Sequence, residues 1–285
     1  MSSHDPHTVP IGVKGAALRQ QGTGDLALAQ LRPTVPEHEI RRHGHADMHL
    51  LVLLSGRYVS EAEGMPDVCD EPAVILNPPG IEHRDRFRSR DGLFLTLTMP
   101  APAFERLCGP GVVPSQAIRL PRPSLARAMP LLRELWHWEP ASALVVETAL
   151  GEMLADARPR TVASATHAKL RRVIERLDED TTVPSLGELA AIAGCHPVYL
   201  ARAFRRRYGI APGDYLRRRR LHRAVSLIAR GRTVARAAAS LGFVDDSHLH
   251  RAFVAEFGMT PGAFRRLALG RAEVSRVQDA GLRRR

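Results

Sequence analysis

Lysine is almost missing from this 285-residue chain: Lys14 and Lys169 are the only two, and the other 39 basic residues are arginine. Cysteine is also scarce. Cys69, Cys108 and Cys195 are an odd, scattered set with no Cys-x-x-Cys spacing, which excludes a disulfide framework and a cysteine-based zinc site. No apolar run approaches the roughly 20 residues that a bilayer-spanning helix needs. Met1 to Pro10 has no apolar signal core. These absences predict a cytoplasmic protein with no membrane partner.

What is present is ordinary globular material, 44% hydrophobic and 25% charged, in a length that suits about two domains. The net charge of +11 is unevenly spread. Residues 1–167 carry 17 basic and 19 acidic side chains, and residues 168–285 carry 24 and 11. A near-neutral half joined to a strongly cationic half points to a polyanion partner, nucleic acid or an anionic membrane surface.

From about residue 18 to 100 the pattern is β-rich. Leu26–Leu31, Leu50–Leu54, Ala73–Leu76 and Leu93–Met99 are short apolar runs punctuated by Gly and Pro, as in a sandwich or small barrel. Apolar residues at helical spacing then predict helices over 124–138 and 141–157, with Pro130 expected to kink or split the first. Residues 158–166 read as a linker, everything from 167 to 266 as helical, and the stretch from 267 on as a charged tail. Trp136-His137-Trp138 reads as core or dimer seam.

The cationic half contains a near-repeat. At an offset of 48, Leu189, Ala190 and Gly194 align with Ala237, Ala238 and Gly242. After one inserted residue Leu200, Arg202, Phe204, Gly209, Pro212, Gly213 and Tyr215 align with Leu249, Arg251, Phe253, Gly258, Pro261, Gly262 and Phe264. In the first copy Ser185 and Glu188 have capping-box spacing. Gly194 suits a left-handed turn, and Pro197 can open the next helix. Leu200, Ala203 and Phe204 would face inward, leaving Val198, Ala201, Arg202 and Arg205 outward. In the second copy Val234–Ser240 would support a helix over Ser247–Phe257, capped by Asp245 or Asp246. Asp214–Arg230 reads as one stiff helix between the copies. A short helix, a glycine turn and a second helix with a basic outer face describe a helix-turn-helix, whose second helix fits the major groove.

These residues resemble the AraC-type family of transcription regulators. The resemblance rests on Ser185–Ala190, Tyr199–Phe204, Tyr208–Tyr215, Arg220–Ala224, Leu241–Phe253 and Phe257–Arg265. It implies base-reading places at Val198, Ala201 and Arg202 in the first motif, and at Asp246, Ser247, His250 and Arg251 in the second. Arg205 and Arg206 would meet phosphate. It further implies double-stranded promoter DNA, RNA polymerase, a small-molecule effector and a second copy of the chain as partners. Departures are His196 where a serine cap is usual, Ala237 in place of a larger apolar residue, and two aspartates near the phosphates.

In the neutral half, odd-numbered residues on a strand share a face, so His43, His45 and His49 would point one way, with His83 joining from a later strand. His43-Gly-His45 with Gly56 beyond, and Pro78-Pro-Gly-Ile-Glu-His83, resemble the two motifs of the cupin barrel. The four imidazoles fit a divalent metal, a metal-free effector pocket, or satisfied core histidines, and these readings stay open. Asp47 and Glu82 are read as surface residues.

The expectation is an α+β chain: a cupin-like effector-sensing barrel at 1–122, a helical dimerisation segment and linker at 123–166, an all-α DNA reader with two helix-turn-helix motifs at 167–270, and a charged tail at 271–285. It is read as a non-enzyme with no catalytic residues. The rivals are a metal-dependent cupin enzyme with a DNA-binding tail, and a constitutive DNA binder whose barrel only dimerises.

Overall fold

The computed structural model describes residues 15–270 except Gly24, 35–41, Gly64, Pro66, Asp67, Arg90, 110–113, 158–163 and 180–183. Most of the expected linker and all of the tail beyond 270 lie outside the described residues.

The chain is mixed α and β, with a sheet region first and helices after it. Among the described residues there are ten strands, nine before the first helix and one after it: β1 Gly15–Thr23, β2 Leu26–Pro33, β3 His43–Gly44, β4 Met48–Ser55, β5 Tyr58–Ser60, β6 Ala73–Asn77, β7 Glu82–His83, β8 Asp85–Phe87, β9 Leu93–Met99 and β10 Ile118–Arg119. Six of them form an antiparallel sheet in the order β1-β2-β9-β4-β6-β10, while β3-β7 and β5-β8 are separate two-stranded ribbons. Among the described residues the large sheet does not close on itself.

Strand β4 is buried along its whole length because both faces of the sheet are covered. Its even positions Met48, Leu50, Val52 and Leu54 join the cluster under the helices. Its odd positions Leu51 and Leu53 join a second cluster with Tyr58, Cys69 and Phe94. Period-2 alternation thus sorts the strand into a helix-facing side and a ribbon-facing side. At Gly56 (φ +104°) a Cβ would lie 2.7 Å from the Cα of Gly92, so the β4–β5 turn admits no side chain there.

The helices are α1 Ala101–Cys108, α2 Ser124–Trp136, α3 Ser142–Ala157, α4 Ser164–Asp178, α5 Leu186–Ala193, α6 Pro197–Tyr208, α7 Pro212–Ala229, α8 Val234–Ser240, α9 Asp246–Phe257 and α10 Pro261–Ala268. Helix α1 and the ribbons were not anticipated. Helix α2 runs through Pro130 as one helix, so of the expected kink or split the split does not occur.

Besides the ribbon-side cluster, the described residues form two larger cores. One runs from the sheet through α2 and α3 into α7–α10, and includes Leu97, Leu131, Met153, Leu249, Phe253 and Phe264. The other holds α4, α5, α6 and Tyr215 together, with Leu170, Val173, Leu189, Leu200 and Phe204. Helix α7 lies on the helix-facing side of the sheet, against β4. Along this helix Tyr215, Leu221, His222, Ala224, Val225, Ser226, Ile228 and Ala229 are buried. Buried Gln30 ties sheet to reader: it accepts from Trp136 Nε1 (2.8 Å) and donates to the carbonyl of Ala268 (3.0 Å).

Candidate nucleic-acid interface and histidine cluster

The first motif is built as its sequence dictates. Ser185 and Glu188 form a reciprocal capping box at the start of α5, and Gly194 ends that helix in the left-handed region (φ 59°). His196 replaces the usual serine cap and does the same work, its Nδ1 accepting from the Val198 N–H at 3.3 Å. Leu200 and Phe204 are buried against Leu189 and Ala190. The opposite face of α6 is open: Val198 is 52% exposed, Arg202, Arg205 and Arg206 are exposed, and Ala201 is half-buried. Tyr199, 53% exposed on the same helix, was not singled out from sequence. Its signal was a large aromatic outside the inward i, i+4 pair.

The second motif follows the same plan. Thr233 caps α8 by accepting from the Arg236 N–H. Asp245 caps α9, accepting from the His248 N–H at 2.6 Å. That carboxylate is therefore engaged with the helix terminus, where its charge is favoured. Leu249 and Phe253 are buried, while Asp246, Ser247, His250 and Arg251 are exposed. Val244, before the cap, is 87% exposed, a position sequence reading passed over. Helix α7, 18 residues long and so about 27 Å at ~1.5 Å per residue, joins the two motifs.

The histidines do not share one strand. His43 is on β3, His45 follows it, the chain bends at Ala46–Asp47, and His49 is on β4. The rings converge nonetheless. Strand pairing sets His43 opposite His83. Ring centroids are 4.8 Å apart for His43–His45 and His43–His83, 4.1 Å for His45–His49 and 5.1 Å for His45–His83. Nitrogens of His43, His45 and His83 lie within 4.8 Å of one another. His49 packs against His45 but is not one of that trio, and its Nδ1 is 3.2 Å from Thr98 Oγ1. His45 Nε2 and His83 Nδ1 are buried without a hydrogen-bond partner, and His83 Nε2 is 3.8 Å from Asp85. Burial lowers the pKa of His45 to about 4 and that of His49 to about 3, with neighbouring histidines adding to the shift. Neutral imidazole is the form that donates a lone pair. Glu82 is exposed and pairs with Arg42 at 3.2 Å, and Asp47 is half-buried.

No helix among the described residues is long and apolar enough to cross a membrane. Residues 189–267 match the family described as "Helix-turn-helix domain". The chain is 29% identical over 227 residues to the uncharacterized HTH-type transcriptional regulator YobQ of Bacillus subtilis, covering 78% of this chain and 88% of that protein. It is 36% identical over 80 residues to YidL of Escherichia coli, an uncharacterized regulator of the same type, covering 28% of this chain and 27% of that one. A solved transcriptional regulator with an AraC-type DNA-binding domain, from Chromobacterium violaceum, overlays 39% of this chain and 99% of its own at 22% identity, with a TM-score of 0.34. The two bacterial relatives YobQ and YidL are both named as transcriptional regulators. With its paired motifs and basic outer faces, residues 189–267 form a helix-turn-helix domain, and the chain is similar to HTH-type transcriptional regulators.

Proposed function

We propose that the chain is a sequence-specific, effector-responsive regulator in which α6 and α9 read promoter DNA and the N-terminal half, a cupin-like sensor, binds the effector. The observation that carries the DNA reading is the two-sidedness of both helices. Leu200 and Phe204, and likewise Leu249 and Phe253, are fully buried, so each helix can present only its other face. On those faces Val198, Ala201 and Arg202, then Asp246, Ser247, His250 and Arg251, are the base readers, and Arg205 and Arg206 hold phosphate. The proposed divisions are 1–122 for sensing, 123–166 for a helical segment, 167–270 for reading and 271–285 for the tail. Leu144, 67% exposed on α3, supports that segment as the seam of a homodimer. Control of RNA polymerase at the bound promoter completes the reading.

Arg202→Ala is expected to weaken operator binding by about 1–3 kcal/mol and relax the preference at one base pair, whereas Arg205→Ala should weaken all sequences alike and lower the salt slope by about one unit. Titration of fluorescent duplexes at three salt concentrations separates the two. Unchanged affinity and preference in Arg202→Ala would remove α6 from the groove.

For the effector site, the residues fit a transition-metal cation: three imidazoles converge, two with buried nitrogens lacking partners. Zinc, nickel or cobalt is the chemistry that such ligands accept. His43, His45 and His83 would hold the ion, Asp85 would orient His83, and His49 would stay with Thr98. Equilibrium dialysis of the full chain against zinc and nickel should show one bound equivalent, with His45→Ala and His83→Ala each lowering affinity by at least about tenfold. Absence of bound metal in the parent protein would leave the cluster as a metal-free pocket.

A further inference from the structure

The two motifs differ in length by one residue, and the structure locates it. After Gly194 the N–H of half-buried Cys195 donates to the carbonyl of Ala190 at 3.1 Å. After Gly242 the N–H of half-buried Phe243 donates to the carbonyl of Ala238, also at 3.1 Å. Each of these side chains packs on its own motif's core. The 48-residue register therefore holds as far as Cys195 and Phe243. In the first motif the helix cap, His196, comes next. In the second, Val244 stands between Phe243 and the cap Asp245. Val244 is the extra residue.

With an inward residue on one side and a cap on the other, the added residue is pushed outward. At 87% it is the most exposed large apolar side chain among the described residues. A valine left in water contributes nothing to the core. It does not belong to an apolar patch along the chain either, because Asp245, Asp246, Ser247 and His248 are all exposed, and a lone apolar residue is not a protein-docking surface. It does lie at the N-terminal end of α9, the end of a recognition helix that meets base edges. The apolar group on offer in a major groove is the C5 methyl of thymine. In the first motif an exposed valine, Val198, is on the helix itself; its counterpart in α9, 49 residues on, is Ser247.

We infer that Val244 is a base-reading residue whose methyls pack on the C5 methyl of a thymine beside the start of α9. The inserted residue gives the second motif, from its turn, the apolar contact that Ser247 cannot give from the helix. This assignment rests on the reading of α9 as a base reader given above.

The test starts with selection of duplexes from a random library by the full chain. Each thymine of the selected site is then replaced singly by deoxyuridine, which removes only the methyl. One replacement should weaken binding by the parent chain about fourfold, the worth of one buried methyl-sized group, and should leave binding by Val244→Ala unchanged. On the unmodified site Val244→Ala should bind about fourfold more weakly than the parent. Val198→Ala, in the first motif, should keep the response at that thymine. The assignment is overturned if no replacement weakens the parent, if Val244→Ala responds to every replacement as the parent does, or if Val198→Ala loses the same response. Those three outcomes leave the reading of α6 and α9 standing. A library that yields no preferred sequence fails earlier, at the selection step, and removes that reading and this assignment together.

Discussion

Phe253→Ala is expected to lower the melting temperature of the sheet region and the second motif together, and to leave the first motif's own stability almost unchanged. The Phe253 ring is fully buried, 4.6 Å from Phe257 and 5.7 Å from Phe264 between centroids. It belongs to the cluster that continues through α2 and α3 to the sheet. A buried Phe→Ala costs about 3–5 kcal/mol in transfer and cavity terms, a large part of a total near 5–15 kcal/mol. The matching change in the first motif, Phe204→Ala, removes an equally buried ring from a different cluster. It should create an early, small transition that precedes the main one. Differential scanning calorimetry of the two variants reads this directly. One shared transition lowered equally by both would show that the two cores unfold as one.

Arg122→Leu should have the second-largest effect, because one guanidinium holds three elements. It bridges Glu71 before β6, Asp178 at the end of α4 and Tyr215 on α7, and its carbon sits 4.9 Å from the Tyr215 ring centre. Removing one partner of a buried pair costs roughly 3–5 kcal/mol, but Arg219 remains to serve both carboxylates and Asp178 is over a third exposed. Solvent screening reduces that arm, so about 2 kcal/mol is expected. The loss should be local. Limited proteolysis should cut at the C-terminal end of α4 faster than in the parent protein, while the main melting transition moves little. Equal cleavage rates would show that the first motif is held by α7 alone.

The histidine cluster shows where reading residues in order fails. Alternation on one strand places His43, His45 and His49 on a common face, yet the chain bends at Ala46–Asp47 and only His49 lies in β4. The grouping arises because β3 pairs with β7, bringing His43 opposite His83 across 40 residues. Ribbon pairing of two-residue strands leaves no periodic trace. Helix α7 is a second case. The helix itself was legible, but not the burial of His222 and Ser226, since nothing nearby in sequence announces that β4 lies against it.

The reader's elements were legible in the amino-acid order alone, because each is delimited within one turn of chain. Ser185, Gly194, Pro197, Thr233, Asp245 and Gly258 act on backbone groups two to four residues away. Tertiary packing alone decided that the second motif shares its core with the sheet while the first keeps its own. Those contacts join residues as far apart as Gln30 and Ala268, 238 positions along the chain. No local signal encodes them; they follow from which buried faces, once formed, find each other.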